Sequence, residues 1–317
     1  MAPRFLGLTG VLRRNWQISV SCQFSIFLSI SVLFMPFHAP KSVQHNKFNR
    51  LKLLHSNNTK KIGGERLIFK EKNEHLGLWQ CTDIKKTAVT NVRHRLNKTD
   101  KKMFAMMGSS FSAAPGLDLD TSKYLYKVNI KPSMTAGLQA LYMTNESLGM
   151  LEDYEEEIMR AVFDQRQGSS VTPLYFMWGE EPIEAALNKM IFSLYYGMWC
   201  DVTSPTVKLS QAIARDKESK GDYWIYMVSK LCVLYDLPPP TSMWELEMPS
   251  KNHWKKLINK IKDRHWENIM LNRLNSLKIL RFIGDGDLEY RKVPELAKDV
   301  NDTRQIVGMK VIIKLLC

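Results

Sequence analysis

The chain has 317 residues, 44% of them hydrophobic and 24% charged, with 45 Lys and Arg against 32 Asp and Glu and a formal net charge of +13. That composition excludes a disordered or collagen-like chain and supplies apolar surface for one large or two ordinary cores. The five cysteines, Cys22, Cys81, Cys200, Cys232 and Cys317, are too scattered for a disulfide framework or for paired zinc ligands. The basic excess suits a polyanionic partner, nucleic acid first and an anionic membrane surface second.

Residues 1–40 differ from the rest. Arg4, Arg13 and Arg14 precede an uncharged stretch over 15–37, apolar but diluted by serine, which predicts a disordered or membrane-prone leader, either a signal or anchor span or a buried or accidental segment of a gene model. Residues 41–66 form a basic linker carrying Lys41, Lys47, Arg50, Lys52, Lys60 and Lys61. Two helical units are expected after it, 67–200 and 201–317, giving a mainly α fold in the form of an irregular multi-helix bundle.

Within the first unit, Val89, Val92, Leu96, Met103, Met106 and Met107 predict one long or two short helices, and a second helix starts at Thr121 and stops before Pro132. A third, from about Thr144 to Phe163, turns Leu148, Leu151, Tyr154, Ile158, Met159 and Val162 inward. Glu152, Asp153, Glu155, Glu156 and Glu157 then read as a solvated acidic face, because successive helical side chains point about 100° apart and cannot all meet one ion. Gly179-Glu-Glu-Pro-Ile opens a fourth helix with acids in its first turn, where the helix dipole favours them. In the second unit, a short helix covers Val207–Arg215, Asp222 caps a helix that Pro238-Pro-Pro ends, and Ser250 caps a last helix reaching about Leu280.

That last helix is the strongest polyanion site. Lys251, Lys255, Lys256, Lys260, Lys262, Arg264 and Arg273 neutralise phosphate, and Trp266 adds an aromatic face for unpaired bases, while Trp254, Leu257, Ile258, Ile261, His265 and Ile269 form the apolar stripe. Lys85, Lys86, Arg93, Arg95, Lys98, Lys101 and Lys102 make a secondary basic patch on the first helix. No phosphate-binding glycine loop, dinucleotide fingerprint, zinc-protease or nucleophile-elbow motif is present. The residues therefore point to no catalytic centre, no metal, no cofactor and no small-molecule substrate.

Several stretches resemble the region that follows the polymerase palm in non-LTR retrotransposon reverse transcriptases of invertebrates. Leu76-Gly-Leu is similar to the family's Leu-Gly-Ile after the palm, and Lys102-Met-Phe-Ala-Met-Met-Gly to its Ala-Tyr-x-Leu-Met-Gly helix. Leu125-Tyr-Lys with Pro132, Pro182-Ile-Glu-Ala, and Asp216-Lys-Glu-Ser-Lys-Gly-Asp-Tyr-Trp follow in the family's order. Leu234-Tyr-Asp-Leu-Pro, Pro249-Ser-Lys-Asn-His-Trp-Lys-Lys and His265-Trp-Glu complete the series, so the likeness runs from about residue 67 to 316. The resemblance implies an RNA-directed DNA polymerase that binds template RNA and target DNA. Its Tyr/Phe-x-Asp-Asp loop has no counterpart in 1–66, where no acid precedes Glu65. The chain is expected to be a truncated, non-catalytic, nucleic-acid-binding helical fragment, held in the nucleus or cytoplasm on RNA or DNA backbone. The alternative is a membrane-anchored basic interaction protein with its span at 15–37.

Overall fold

A computed structural model describes residues 61–62, 65–66, 72–75, 77–107, 119–201, 203–215, 223–277 and 290. The leader, its span at 15–37 and most of the basic linker lie outside the described residues, and no described helix is long and apolar enough to cross a membrane. The architecture is a mainly α, irregular multi-helix bundle. It divides into two compact units, residues 1–70 with 198–221, and residues 71–197 with 222–317. In the first unit the described residues form a short antiparallel pair, β1 (Lys61–Ile62) with β2 (Glu65–Arg66), and a helix over Pro205–Arg215.

The second unit opens with a hairpin the sequence reading did not foresee. β3 (Lys72–His75) and β4 (Leu78–Cys81) pair antiparallel, Lys72 opposite Cys81 and His75 opposite Leu78, around Gly77 at φ +76°. Glycine takes that left-handed turn position without a Cβ clash. α1 (Ile84–Met107), one unbroken helix, docks on the hairpin through the fully buried Asn91. Its Oδ1 accepts the Trp79 N–H at 2.8 Å, and its Nδ2 donates to the Trp79 carbonyl at 2.7 Å. One amide thus satisfies both polar groups of an edge residue, as a further strand would.

Next come α2 (Leu119–Leu125), a π-helical stretch (Tyr126–Ile130) and α3 (Lys131–Thr135), without a break. The expected stop before Pro132 does not occur. The π stretch resets the hydrogen-bond register, and Pro132 falls in the first turn of α3, where a missing N–H is tolerated. Tyr126, Ile130 and Met134 are fully buried along this path. Gly137 follows at φ +79°, and a Cβ there would sit 3.0 Å from Leu78.

α4 (Asn145–Val162) begins where expected. Thr144 Oγ1 accepts the Ser147 N–H at 3.1 Å, and Ser147 Oγ accepts the Thr144 N–H at 2.8 Å, a reciprocal cap. α5 (Thr172–Trp178) is buried along its whole length and ends on Gly179 in the left-handed region. α6 (Ile183–Cys200) starts four residues later than the sequence suggests, so Glu180 and Glu181 stand in the α5–α6 connection rather than in a first turn. After α7 (Pro205–Arg215), α8 (Trp224–Leu234) has Tyr223 at its N-cap position, one residue beyond the expected Asp222, which lies outside the described residues. α9 (Pro240–Met243) is a single turn. α10 (Lys251–Asn275) is capped by Ser250, whose Oγ accepts the His253 N–H at 3.3 Å, and it ends short of the expected Leu280.

Candidate nucleic-acid interface and the buried charge network

Charge inside the second unit decides which charge is left outside. Glu155, expected on a solvated face of α4, is fully buried. Its carboxylate accepts from the hydroxyls of Tyr126 and Tyr175, the latter at 2.7 Å, and from the Ile183 N–H at 2.7 Å. Burial raises the Glu155 pKa, against the opposing pull of Lys131 and of these donors. Burial beside that carboxylate holds both tyrosine hydroxyls well above their ordinary range, so they remain donors. Leu151 and Met159, four residues to either side, are also buried, and that spacing is the sequence signal the acidic-face reading passed over.

Glu180 is 3% exposed and meets three lysines spaced four apart. Lys127 Nζ lies 2.7 Å from it, Lys123 Nζ 3.7 Å and Lys131 Nζ 3.9 Å, and Lys131 is also 3.9 Å from Glu155. The neighbouring Glu181 pairs with Lys262 of α10. The α5–α6 connection therefore ties the α2–α3 path to α10 by ion pairs. Carboxylates this enclosed offer nothing to an incoming ligand. Their chemistry is that of a clamp, since breaking one partner of a buried pair costs far more than the pair itself returns.

On α10 the structure separates the predicted bases. Lys251, Lys255, Lys256, Lys260, Arg264 and Arg273 are exposed. Lys262 and Trp266 are not available to a ligand, which corrects their placement among phosphate- and base-contacting residues. Lys262 is 2% exposed and bound to Glu181 and, at 3.2 Å, to Asp263. Trp266 is 4% exposed and donates its Nε1–H to Tyr235 Oη at 3.0 Å.

The physical reason is the burial repeat. Trp254, Ile258, Lys262, Trp266, Met270 and Leu274 are buried at strict intervals of four. Each interval overshoots a full turn by about 40°, so the buried stripe winds around the helix instead of holding the predicted face of Ile261, His265 and Ile269. Trp254 leads the stripe, donating to the Phe192 carbonyl at 3.2 Å and stacking on Tyr196 at 5.8 Å. Lys256, Lys260 and Arg264 follow the same interval about half a turn away and rise about 12 Å along the axis. Among the described residues none of these three forms an ion pair, and the acid nearest in sequence, Asp263, is engaged by Lys262.

The patch on α1 divides in the same way. Lys85, Lys86, Arg93, Lys98, Lys101 and Lys102 are exposed, whereas Arg95 is drawn inward and donates from Nη2 to the Gly77 carbonyl at 3.1 Å. Burial first, then the charges of Lys98 and Arg95, hold the His94 pKa below its ordinary value. Asp100 is occupied by the Tyr154 hydroxyl at 2.6 Å. α1 packs against β4, α3 and α4, whereas α10 packs against α5, so the two basic helices have different neighbours. Among the described residues no three His, Cys, Asp or Glu side chains are grouped to hold a metal ion.

Comparison with protein-family models, with curated proteins and with solved structures returns no match to the chain.

Proposed function

We propose that the chain binds the phosphate backbone of RNA or DNA, as a non-catalytic helical portion of a retrotransposon-derived RNA-directed DNA polymerase. The observation that carries the binding is the exposed row Lys256, Lys260 and Arg264, which forms no ion pair among the described residues of a chain with net charge +13. Internally paired acids support it, because Glu155, Glu180 and Glu181 are engaged by Lys131, Lys127 and Lys262 and do not compensate Lys256, Lys260 and Arg264. The retroelement origin rests on the ordered motifs between residues 67 and 316.

Filter binding across a salt series tests the reading. Affinity for a mixed-sequence strand falls linearly with salt on logarithmic axes. The variant K256E/K260E/R264E binds about tenfold or more weakly, equally for all sequences, since backbone contacts carry no sequence information. Affinity that ignores salt, or a triple variant that binds like the parent, overturns the proposal.

A further inference from the structure

The aromatic group expected to stack on bases, Trp266, is buried, but another aromatic stands outside. Phe104 on α1 is 74% exposed. At 100° per residue, Lys86, Arg93, Asn97, Lys101 and Phe104 fall within roughly a quarter turn of one another, opposite the buried Ala88, Val92, Thr99 and Met103. Lys86, Arg93, Asn97 and Lys101 are all exposed, as is Lys102 two residues before Phe104. Among the described residues Lys86, Arg93, Lys101 and Lys102 form no ion pair, and the one acid in the second half of the helix, Asp100, is held by Tyr154.

A basic track that ends on an open aromatic ring is the chemistry that holds unpaired nucleotides. The bases on the track neutralise phosphates, and the ring offers a face to whichever base arrives. A duplex keeps its bases stacked inside and offers that ring nothing. The track from Lys86 to Phe104 is about 27 Å long at the rise of an α-helix, enough for several nucleotides of an extended strand. We infer that α1 is a single-strand binding surface on which Phe104 is the base-stacking platform, so that the chain prefers single-stranded nucleic acid to duplex. The inference rests on the phosphate-binding reading above and adds the strandedness of the ligand and the residue that senses it.

Fluorescence anisotropy with a labelled oligo(dT) strand and with a duplex of the same length decides it. The parent chain binds the strand more tightly than the duplex. F104A loses about tenfold in affinity for the strand and none for the duplex, the scale expected for one stacked base. F104W keeps the preference, because any aromatic face serves. Circular dichroism confirms that both variants fold. Equal affinities for strand and duplex, or an F104A variant indistinguishable from the parent on the strand, overturn this inference and leave salt-dependent phosphate binding standing. Absence of binding to either probe removes the phosphate reading and this inference with it.

Discussion

Glu155 has no exposed surface, yet three donors converge on its carboxylate, two of them tyrosine hydroxyls. Truncation to alanine leaves those donors unpaired in an apolar interior, each a penalty of about 1–3 kcal/mol. E155A is therefore expected to lose about 3 kcal/mol or more in urea denaturation, and E155Q, which keeps an acceptor oxygen, clearly less. Glu152, one turn earlier on α4, is a second carboxyl whose titration the fold shifts. Desolvation first, then a hydrogen bond and repulsion from Glu184, push its pKa from 4.5 up to about 7, with repulsion from Glu155 adding to the shift and Arg273 opposing it. A carboxyl whose folded pKa is raised binds its proton more tightly in the folded state. Folding is thus favoured below about pH 4.5 and loses stability as pH rises through 7. Glu152 is only half-buried, so after solvent screening the loss is roughly 1–2 kcal/mol. Urea midpoints measured across that window should fall with rising pH in the parent and stay flatter in E152Q.

Along α10, stability and binding are carried by alternating residues. The buried residues repeat every four positions and hold the helix down through Trp254, the Lys262–Glu181 pair and the Trp266–Tyr235 hydrogen bond. W254A should cost about 3–5 kcal/mol, the usual range for a core tryptophan, whereas K260E should shift stability by no more than about 0.5 kcal/mol while weakening nucleic-acid binding. Thermal denaturation beside filter binding separates the two. What the sequence reveals of such an element depends on the distance over which its causes act. The cap at Ser250 is local and legible, as is the start of α4 near Thr144. The helix through Pro132 was not, because its π-turn register is set by Tyr126 and Ile130 packing into the core. Lys262 was not legible either, since its partner Glu181 lies 81 residues earlier in the chain.

At the scale of the whole molecule, the helical class follows from the repeated i, i+3/i+4 spacing, but the partition of charge between inside and outside does not follow from composition. The fold takes Lys123, Lys131, Lys262 and Arg95 inward, and it leaves Lys86, Arg93, Lys101, Lys256, Lys260 and Arg264 outward on two helices with different neighbours. Salt dependence counts the outward group directly. Each phosphate neutralised on a single strand contributes about −0.7 to the slope of log affinity on log salt, so these six bases together give about −4. Reversing the three on α10 should bring the slope to about −2, and so should reversing the three on α1, because each set holds its own phosphates. Reversing both should leave it nearly flat. A slope abolished by changes on one helix alone would assign the whole grip to that helix, and the other would then serve only to keep the protein hydrated.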